Sequence, residues 1–290
     1  MNPLLKLILM AAVILICSKV GAQVNIDNAM LSGVKITSRF IFDSETQTIT
    51  GYNGLVNGHL VVPQKIAGVQ VLHIGTQALR DKDITSLELP EGLLTIGAEA
   101  FMNNRINVVQ LPDSLVYVEL GAFGILDGVS AGTTHVALSG NPTYRGATFN
   151  FNRNLTSISG LHNVPKIPFL MFGGCSSLVQ VQMHTGTWDN PSLDGNNYGL
   201  VQSIGESAFV CTNISTITLP NSCKSVARAA FATIPGISRV TLPANVAIAD
   251  ETSFNQTDTL SQASFKAAYE AGGSLAGTYE YIEGSWVKTH

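Results

Sequence analysis

The strongest pattern in the chain is a short apolar motif that returns at nearly regular intervals. Its clearest copies are IGAEAF (96–101) and IGESAF (204–209), in which glycine follows isoleucine and phenylalanine ends the motif. The last position recurs about every 22 residues, with one longer gap, at Leu79, Phe101, Phe123, Phe149, Phe172, Phe209, Phe231 and Phe254. Self-similarity at such a period is typical of a solenoid built from stacked repeats.

A strand pattern follows each copy of the motif. Five or six residues after the phenylalanine the sequence reads apolar-x-x-apolar-x-apolar, as in ITSLEL (84–89) and ISTITL (214–219). Alternation in the last three residues predicts a strand with one buried face. In four repeats a proline follows, 11 residues before the next phenylalanine, at Pro90, Pro112, Pro220 and Pro243. Because proline has no N–H to donate to a continuing ladder, it ends the strand.

These patterns together predict the fold class. A unit of this length cannot bury a core alone, so neighbouring units must stack. We therefore predict a repeat solenoid with parallel β-strands on one face and short helical or irregular turns on the other. The phenylalanines are expected to form one buried column, and the IGxxAF motif is expected to form a helical turn on the wall opposite the strands.

The combined unit, roughly L-x-x-[IV]-x-LP-x-[SG]-[VL]-x-x-IG-x-x-AF, closely resembles the BspA-like leucine-rich repeats of bacterial surface proteins. The resemblance covers about residues 38–288. It implies a leucine-rich-repeat solenoid with host-matrix proteins, other microbes or glycans as partners. Two copies, YRGATF (144–149) and IPFLMF (167–172), lack both the proline and the IG dipeptide, and residues 184–199 read as a loop insert.

Both ends of the solenoid carry sequences that differ from the repeat. The predicted divisions are a signal peptide over 1–22, an N-terminal β-hairpin cap over 23–57, the solenoid over 58–258 and a C-terminal capping helix and hairpin over 259–290. FIFD (40–43) and TITGY (48–52) are expected to pair as the first hairpin. Thr259 is expected to cap a helix over 260–271, and a second hairpin is expected over 278–287. Such end structures would shield the outermost repeats.

The first 22 residues have the form of a secretory signal. Lys6 precedes an apolar run over 7–16, and small residues at 20–22 favour cleavage between Ala22 and Gln23. The run is too short to cross a bilayer, which takes ~20 residues. Lipidation of Cys17 is a competing interpretation, although the bulky residue before it argues against it. We expect a monomer that is secreted or held at the cell surface, with the periplasm as an alternative and without a transmembrane segment after cleavage.

Composition excludes some classes of partner. Charged residues make up 12% of the chain, about half of the ~25% usual in soluble domains, and the net charge is −4. No run of lysine or arginine is present, so nucleic acid is not an expected partner. Cys175, Cys211 and Cys223 are an odd number beyond the signal, which argues against a disulfide framework and favours buried, apolar thiols.

No pattern of catalytic or metal-binding residues stands out. GVSAG (128–132) matches the GxSxG nucleophile elbow, but the strand before Ser130 and the helix after it are not predicted. The histidines share no ligand spacing, and the acidic residues of the insert do not fit a calcium loop. We therefore expect no cofactor, no metal site and no enzymatic activity, and a hydrolase using Ser130 is the least favoured alternative.

The outward strand positions are the candidate binding surface. The candidate ligand-binding residues are Gln110, Gln180, Gln182, Thr216, Thr218, Arg239 and Thr241 on the strands, with Trp188 and Tyr198 in the insert. Two explanations stay open for the strand residues. They form a weakly charged strip that docks a peptide or glycan, or they reflect the preference of solvent-facing strands for Thr, Ser and Gln.

The favoured function is adhesion or ligand capture by an exported, non-catalytic scaffold that binds an extracellular protein or a glycan. The alternative is a structural module of a larger surface assembly that has no ligand of its own.

Overall fold

Each regular repeat contributes two short strands, one from the alternating pattern and one from the start of the IG motif. The computed structural model describes residues 39–126, 132–140, 142–183, 199–254 and 264–290. The signal sequence, Ser130 and the insert residues Trp188 and Tyr198 lie outside them.

In chain order the strands are β1 (Phe40–Asp43), β2 (Thr48–Tyr52), β3 (Gly58–Val61), β4 (Lys65–Ile66), β5 (Val69–Gln70), β6 (His73–Ile74), β7 (Ile84–Glu88), β8 (Thr95–Ile96), β9 (Val108–Gln110), β10 (Tyr117–Val118), β11 (His135–Ala137), β12 (Thr143–Tyr144), β13 (Ser157–Ser159), β14 (Lys166–Ile167), β15 (Ser203–Ile204), β16 (Thr216–Thr218), β17 (Ser225–Val226), β18 (Arg239–Leu242), β19 (Ala247–Ile248), β20 (Gly277–Ile282) and β21 (Ser285–Lys288). One helix, α1 (Phe265–Ala271), and one 3-10 turn (Leu161–Asn163) complete the regular structure of the described residues.

The main ladder consists of the strands that the alternating pattern predicts. β3 pairs with β7, β11 pairs with β9 and β13, and β16 pairs with β18, all in parallel, and these three groups belong to separate sheets that follow one another along the chain. The register places equivalent residues side by side, so that Val136 lies between Val109 and Ile158, and all three are buried. The structure is therefore a parallel solenoid of leucine-rich-repeat type, as predicted.

The IGxxAF motif does not form a helical turn, which corrects that part of the prediction. Its first residue lies in a second parallel ladder, which runs β2-β6-β8-β10-β12 and then β14-β15-β17-β19. Glu99, two residues before Phe101, has a φ of 55°, which interrupts a right-handed helix. The N–H of Phe101 donates to the carbonyl of Ala122 in the next repeat at 2.8 Å. Bonds within the repeat, such as Ala100 N–H to the carbonyl of Gly97 at 3.2 Å, alternate with bonds between repeats, so the turn is irregular and not helical.

The glycine of the motif is explained by the close approach of neighbouring repeats. A Cβ on Gly97 would lie 2.7 Å from the carbonyl carbon of Gly75 and 2.7 Å from the nitrogen of Thr76. At Gly205 it would lie 2.7 Å from the backbone nitrogen of Phe169. These backbone atoms cannot move aside without breaking the ladder, so the position favours glycine.

The predicted phenylalanine column is present and forms the centre of the core. From Phe101 to Phe254 successive rings stack with centroids 5.1 to 5.7 Å apart. None of the seven rings is more than 3% exposed. Leu79 fills the equivalent position in the first repeat and is also buried.

Buried asparagines connect the repeats, a feature that the sequence analysis missed. Asn104, three residues after Phe101, donates to the carbonyls of Leu79 and Phe101, both at 2.8 Å. Its Oδ1 accepts from the N–H groups of Lys82 and Ile84. Asn152 donates in the same way to the carbonyls of Phe123 and Phe149, both at 2.9 Å. The sequence signal is an asparagine three residues after the column phenylalanine, and it is present in only two repeats.

The two ends have the secondary structure that their sequences indicate. β1 and β2 form an antiparallel hairpin at the N-terminal end, over the residues predicted for it. At the C-terminal end the described helix begins at Phe265, and Ser264 caps it by accepting from the N–H of Ala267 at 3.1 Å, whereas the predicted start at Leu260 lies outside the described residues. Thr259, the predicted cap, lies outside the described residues.

The C-terminal elements continue the solenoid core. The ring of Phe265 lies 4.7 Å from that of Phe254, and β20 pairs antiparallel with β18. β21 then pairs with β20 as a hairpin. That these elements protect the last repeat stays a prediction. Within the described residues no helix is long and apolar enough to cross a bilayer.

The three cysteines differ in exposure, and no disulfide joins them. Cys175 and Cys223 are buried, as predicted, whereas Cys211 is exposed. Burial raises the pKa of the Cys223 thiol to about 11 and raises the pKa of the Cys175 thiol further. Because the thiolate is the reactive form, both buried thiols should be slow to react.

We expect a thiol reagent to label Cys211 rapidly in the folded chain without its signal sequence. Cys175 and Cys223 should be labelled only after denaturation. Time-resolved labelling followed by peptide mass analysis measures this difference, and equal rates at the three residues would contradict the burial of the two thiols.

Candidate functional site

The outward residues of the main ladder form two parallel rows, which we call the main face. The first row contains His59, Ser86, Val108, His135, Ser157, Thr216 and Arg239, and the second contains Val61, Glu88, Gln110, Ala137, Ser159, Thr218 and Thr241. The rows arise because alternate residues of a strand point to opposite sides and the strands pair in register. The strand residues between the two rows, such as Val109 and Val240, point inward and are buried in the core, which fixes the orientation of the strands.

The N-terminal half of the main face is open. Ser86, Gln110, Ser157 and Ser159 are all exposed. Serine hydroxyls and the glutamine amide can each donate and accept hydrogen bonds. The only carboxylate among the outward residues of β7 to β13 is Glu88, so this surface is polar but weakly charged.

The structure places three predicted glutamines differently. Gln110 ends β9 and is exposed. Gln180 is exposed and Gln182 half-buried, on either side of the buried Val181, but residues 180–182 do not lie in a strand. The predicted alternation of burial is present there, whereas the predicted hydrogen-bonded ladder is not. β13 and β16 therefore belong to separate sheets.

The C-terminal half of the main face is less accessible than the sequence suggests. Thr218 is 9% exposed and Thr241 only 4%. Thr241 Oγ1 lies 2.9 Å from Thr278 Oγ1 of β20, and Arg239 forms an ion pair with Glu280 of the same strand. β20 covers this end because it adds an antiparallel strand beside β18. Only the half-buried Thr216 and the exposed, paired Arg239 stay partly open.

Two histidines of the main face contact polar residues of the adjacent repeat. His59 Nδ1 lies 3.0 Å from Ser86 Oγ, and its Nε2 lies 3.2 Å from Glu88 Oε1. His135 Nδ1 lies 2.7 Å from Ser157 Oγ. Sequence reasoning missed these contacts because the partners are 22 to 29 residues apart, about one repeat length.

The contacts of His59 differ from those of an activated nucleophilic serine. The side chains of His59 and Glu88 are 47% and 66% exposed, so solvent screens them, and Ser86 contacts Nδ1 while the carboxylate contacts Nε2. A nucleophilic serine needs a buried, oriented base and preorganised donors for the developing oxyanion. Among the described residues no cluster of three His, Cys, Asp or Glu side chains could hold a metal ion.

A small cavity lies beside the C-terminal end of the main face. Its volume is about 310 Å³. Leu219, Leu242 and Pro243 supply apolar walls, and Thr241 and His290 supply polar groups. This volume is at the lower end of the range of ligand pockets, roughly 300–1,000 Å³.

Solved structures of bacterial leucine-rich repeat proteins are similar to this chain. The leucine rich repeat protein of T. pallidum is 23% identical, over 73% of this chain and 83% of its own, with a TM-score of 0.44. A leucine rich cell surface protein from Faecalibacterium prausnitzii A2-165 is 21% identical, over 87% of this chain and 56% of its own, with a TM-score of 0.45. A leucine-rich repeat protein from Bacteroides ovatus is 17% identical, over 74% and 67%, with a TM-score of 0.41. A search of curated proteins gives no match.

The sequence also matches a described repeat family over most of its length. Six copies of the BspA type leucine rich repeat region match residues 72–190 and 192–275. These ranges contain all eight column residues, from Leu79 to Phe254, and the strands from β6 to β19. The chain therefore belongs to the family of BspA-type leucine-rich repeat proteins.

Proposed function

We propose that this chain is an exported, non-catalytic scaffold that binds a protein or glycan ligand outside the cytoplasm, in adhesion or ligand capture. The observation that carries the proposal is the open N-terminal half of the main face. Ser86, Gln110, Ser157 and Ser159 are exposed there on paired strands, and the buried side of those strands packs in the core. A rigid backbone holds these hydrogen-bonding groups in place before a ligand arrives.

The family supports the broader part of this proposal, a scaffold for interactions between proteins. Export is supported by the apolar run at 7–16 and the small residues at 20–22. The structure favours a site nearer the N-terminus than the sequence suggests, because Thr218 and Thr241 are buried and Thr241 contacts Thr278 of β20. Gln110 is the predicted site residue that is best placed, since it is exposed and its strand pairs within the open half.

We expect the double variant Gln110→Arg, Ser159→Arg to lose binding at least about tenfold, which corresponds to ~1.4 kcal/mol. The two residues lie on either side of Ala137 in one row, so long charged side chains there would block a ligand lying across the strands. Binding of the chain without its signal sequence is first measured on an array of glycans and extracellular matrix proteins. The affinity of each variant is then measured for the ligands found.

The matched control is Ser225→Arg, Ala247→Arg, which places the same charges on paired strands of the second ladder. Both double variants should unfold within a few degrees of the parent, because Gln110, Ser159 and Ala247 are exposed and Ser225 is half-buried, and surface substitutions change stability by roughly 0.5 kcal/mol or less. Equal loss of binding in both would point to a general charge effect. Full binding by the first variant would contradict the main face as the binding site.

A further inference from the structure

The last strand of the chain, β21, has one edge with which no strand of the described residues pairs. It ends the sheet β16-β18-β20-β21 and pairs only with β20. Ser285, Val287 and Lys288 are exposed, whereas Trp286 is buried against the core. An uncovered edge presents backbone N–H and C=O groups with which another strand can pair.

The hydrogen bonds of the terminal hairpin show which backbone groups of β21 point away from β20. Tyr281 of β20 donates its N–H to the carbonyl of Ser238, on the side of β18, at 2.8 Å. Because alternate residues of an antiparallel strand bond to opposite neighbours, Trp286, which lies opposite Tyr281, directs its N–H and C=O away from β20. Lys288, two residues later, does the same. The free edge therefore carries the backbone groups of these two residues, one on each side of Val287.

Sheets usually protect such an edge, and β1 at the other end of the chain shows one means of protection. The pairing of β1 with β2 shifts register between Ile41 and Phe42, and an irregularity of this kind makes an edge strand a poorer partner for pairing. The register of β21 is unbroken from Ser285 to Lys288, and the strand contains no proline. Lys288 is the only charged residue in β21. β21 is therefore better suited than β1 to pair with a further strand.

β21 is complementary to a second copy of itself in the antiparallel orientation. With a twofold axis at Val287, Trp286 of each copy lies opposite Lys288 of the other, and these residues exchange backbone hydrogen bonds. The two Val287 side chains, each 45% exposed in a single copy, meet at the axis as a pair without backbone hydrogen bonds, where side chains come closest. Ser285 lies opposite Thr289 of the other copy. No two like charges are directly opposite in this register.

We propose that β21 is a dimerisation edge, which joins two copies of this chain through an antiparallel β21–β21 pair. This differs from the monomer expected from the sequence. A strand pair this short buries little surface, so the dimer is weak, with a dissociation constant between about 1 μM and 1 mM. The edge is separate from the open N-terminal half of the main face, so dimerisation does not depend on the proposed ligand.

Sedimentation velocity of the chain without its signal sequence should show a monomer–dimer equilibrium as the protein concentration rises toward about 1 mM. A reducing buffer prevents dimers through the exposed Cys211. Val287→Lys and Val287→Glu should each weaken the dimer at least about tenfold, because each places two like charges opposite each other at the axis. An equimolar mixture of the two variants should restore association, since the opposed residues then carry opposite charges.

Lys288→Pro tests the backbone contribution. Proline removes an outward N–H that the hairpin does not use, so the chain should fold while dimerisation is lost. Val116→Lys is the matched control for the valine substitutions, because Val116 is 46% exposed in a distant repeat, and it should dimerise as the parent does.

A parent chain that stays monomeric at about 1 mM would overturn the proposal. So would a mixture of Val287→Lys and Val287→Glu that associates no better than either variant alone, and this result is decisive even if Lys288→Pro unfolds. Growth into oligomers larger than a dimer would also overturn it, because it would show pairing between unlike edges.

Discussion

Phe101→Ala should lower the free energy of unfolding by roughly 3–5 kcal/mol, because it truncates a buried aromatic residue to a cavity. The ring is 1% exposed and stacks on Phe123 with centroids 5.1 Å apart and nearly parallel planes. The vacancy cannot close easily, since backbone hydrogen bonds between repeats hold both neighbours of the ring in place. Urea denaturation followed by circular dichroism measures the loss.

Phe169→Ala is the matched control for this prediction. It makes the same chemical change at a ring that is 48% exposed and outside the column. We expect it to cost much less, on the order of 1 kcal/mol, because part of the ring's apolar surface is already in water. Similar losses in the free energy of unfolding of the two variants would show that burial in the phenylalanine column contributes little to stability.

Asn104→Ala should destabilise the chain by roughly 2–5 kcal/mol, as for a buried residue whose loss leaves several backbone groups unpaired. Its side chain is 3% exposed and makes four hydrogen bonds. The side-chain amide donates to the carbonyls of the column residues Leu79 and Phe101. Its oxygen accepts from the N–H groups of Lys82 and Ile84, at the start of β7. No other side chain of the described residues replaces these bonds, and water has little access.

Asn104→Thr provides a graded comparison, because Thr212 occupies the equivalent position after Phe209 and donates to its carbonyl at 2.9 Å. We expect this variant to lose less stability than Asn104→Ala. Asn221→Ala serves as the exposed control and should change stability by roughly 0.5 kcal/mol or less. A loss of the same small size in all three variants would mean that the buried hydrogen bonds contribute little.

The candidate site was only partly predictable. The alternation of apolar and polar residues identified the outward positions of β9, β16 and β18, since burial of one strand face is visible in the sequence. It did not show that Thr218 and Thr241 are buried. For Thr241 that burial depends on β20, which follows β18 by more than thirty residues and places Thr278 against it. The histidine contacts were missed for the same reason, because they join different repeats.

The repeat sequence alone determined the period, the parallel stacking and the identity of the column residues, because a unit this small has no other way to bury its phenylalanine. Tertiary structure decided how each unit meets its neighbours. Backbone hydrogen bonds between repeats make the IGxxAF motif a strand and an irregular turn, Asn104 bonds to the preceding repeat, and Gly97 lets the backbones of adjacent repeats approach each other. Each of these depends on atoms that are distant in sequence and close only after stacking, so no pattern within one repeat can reveal them.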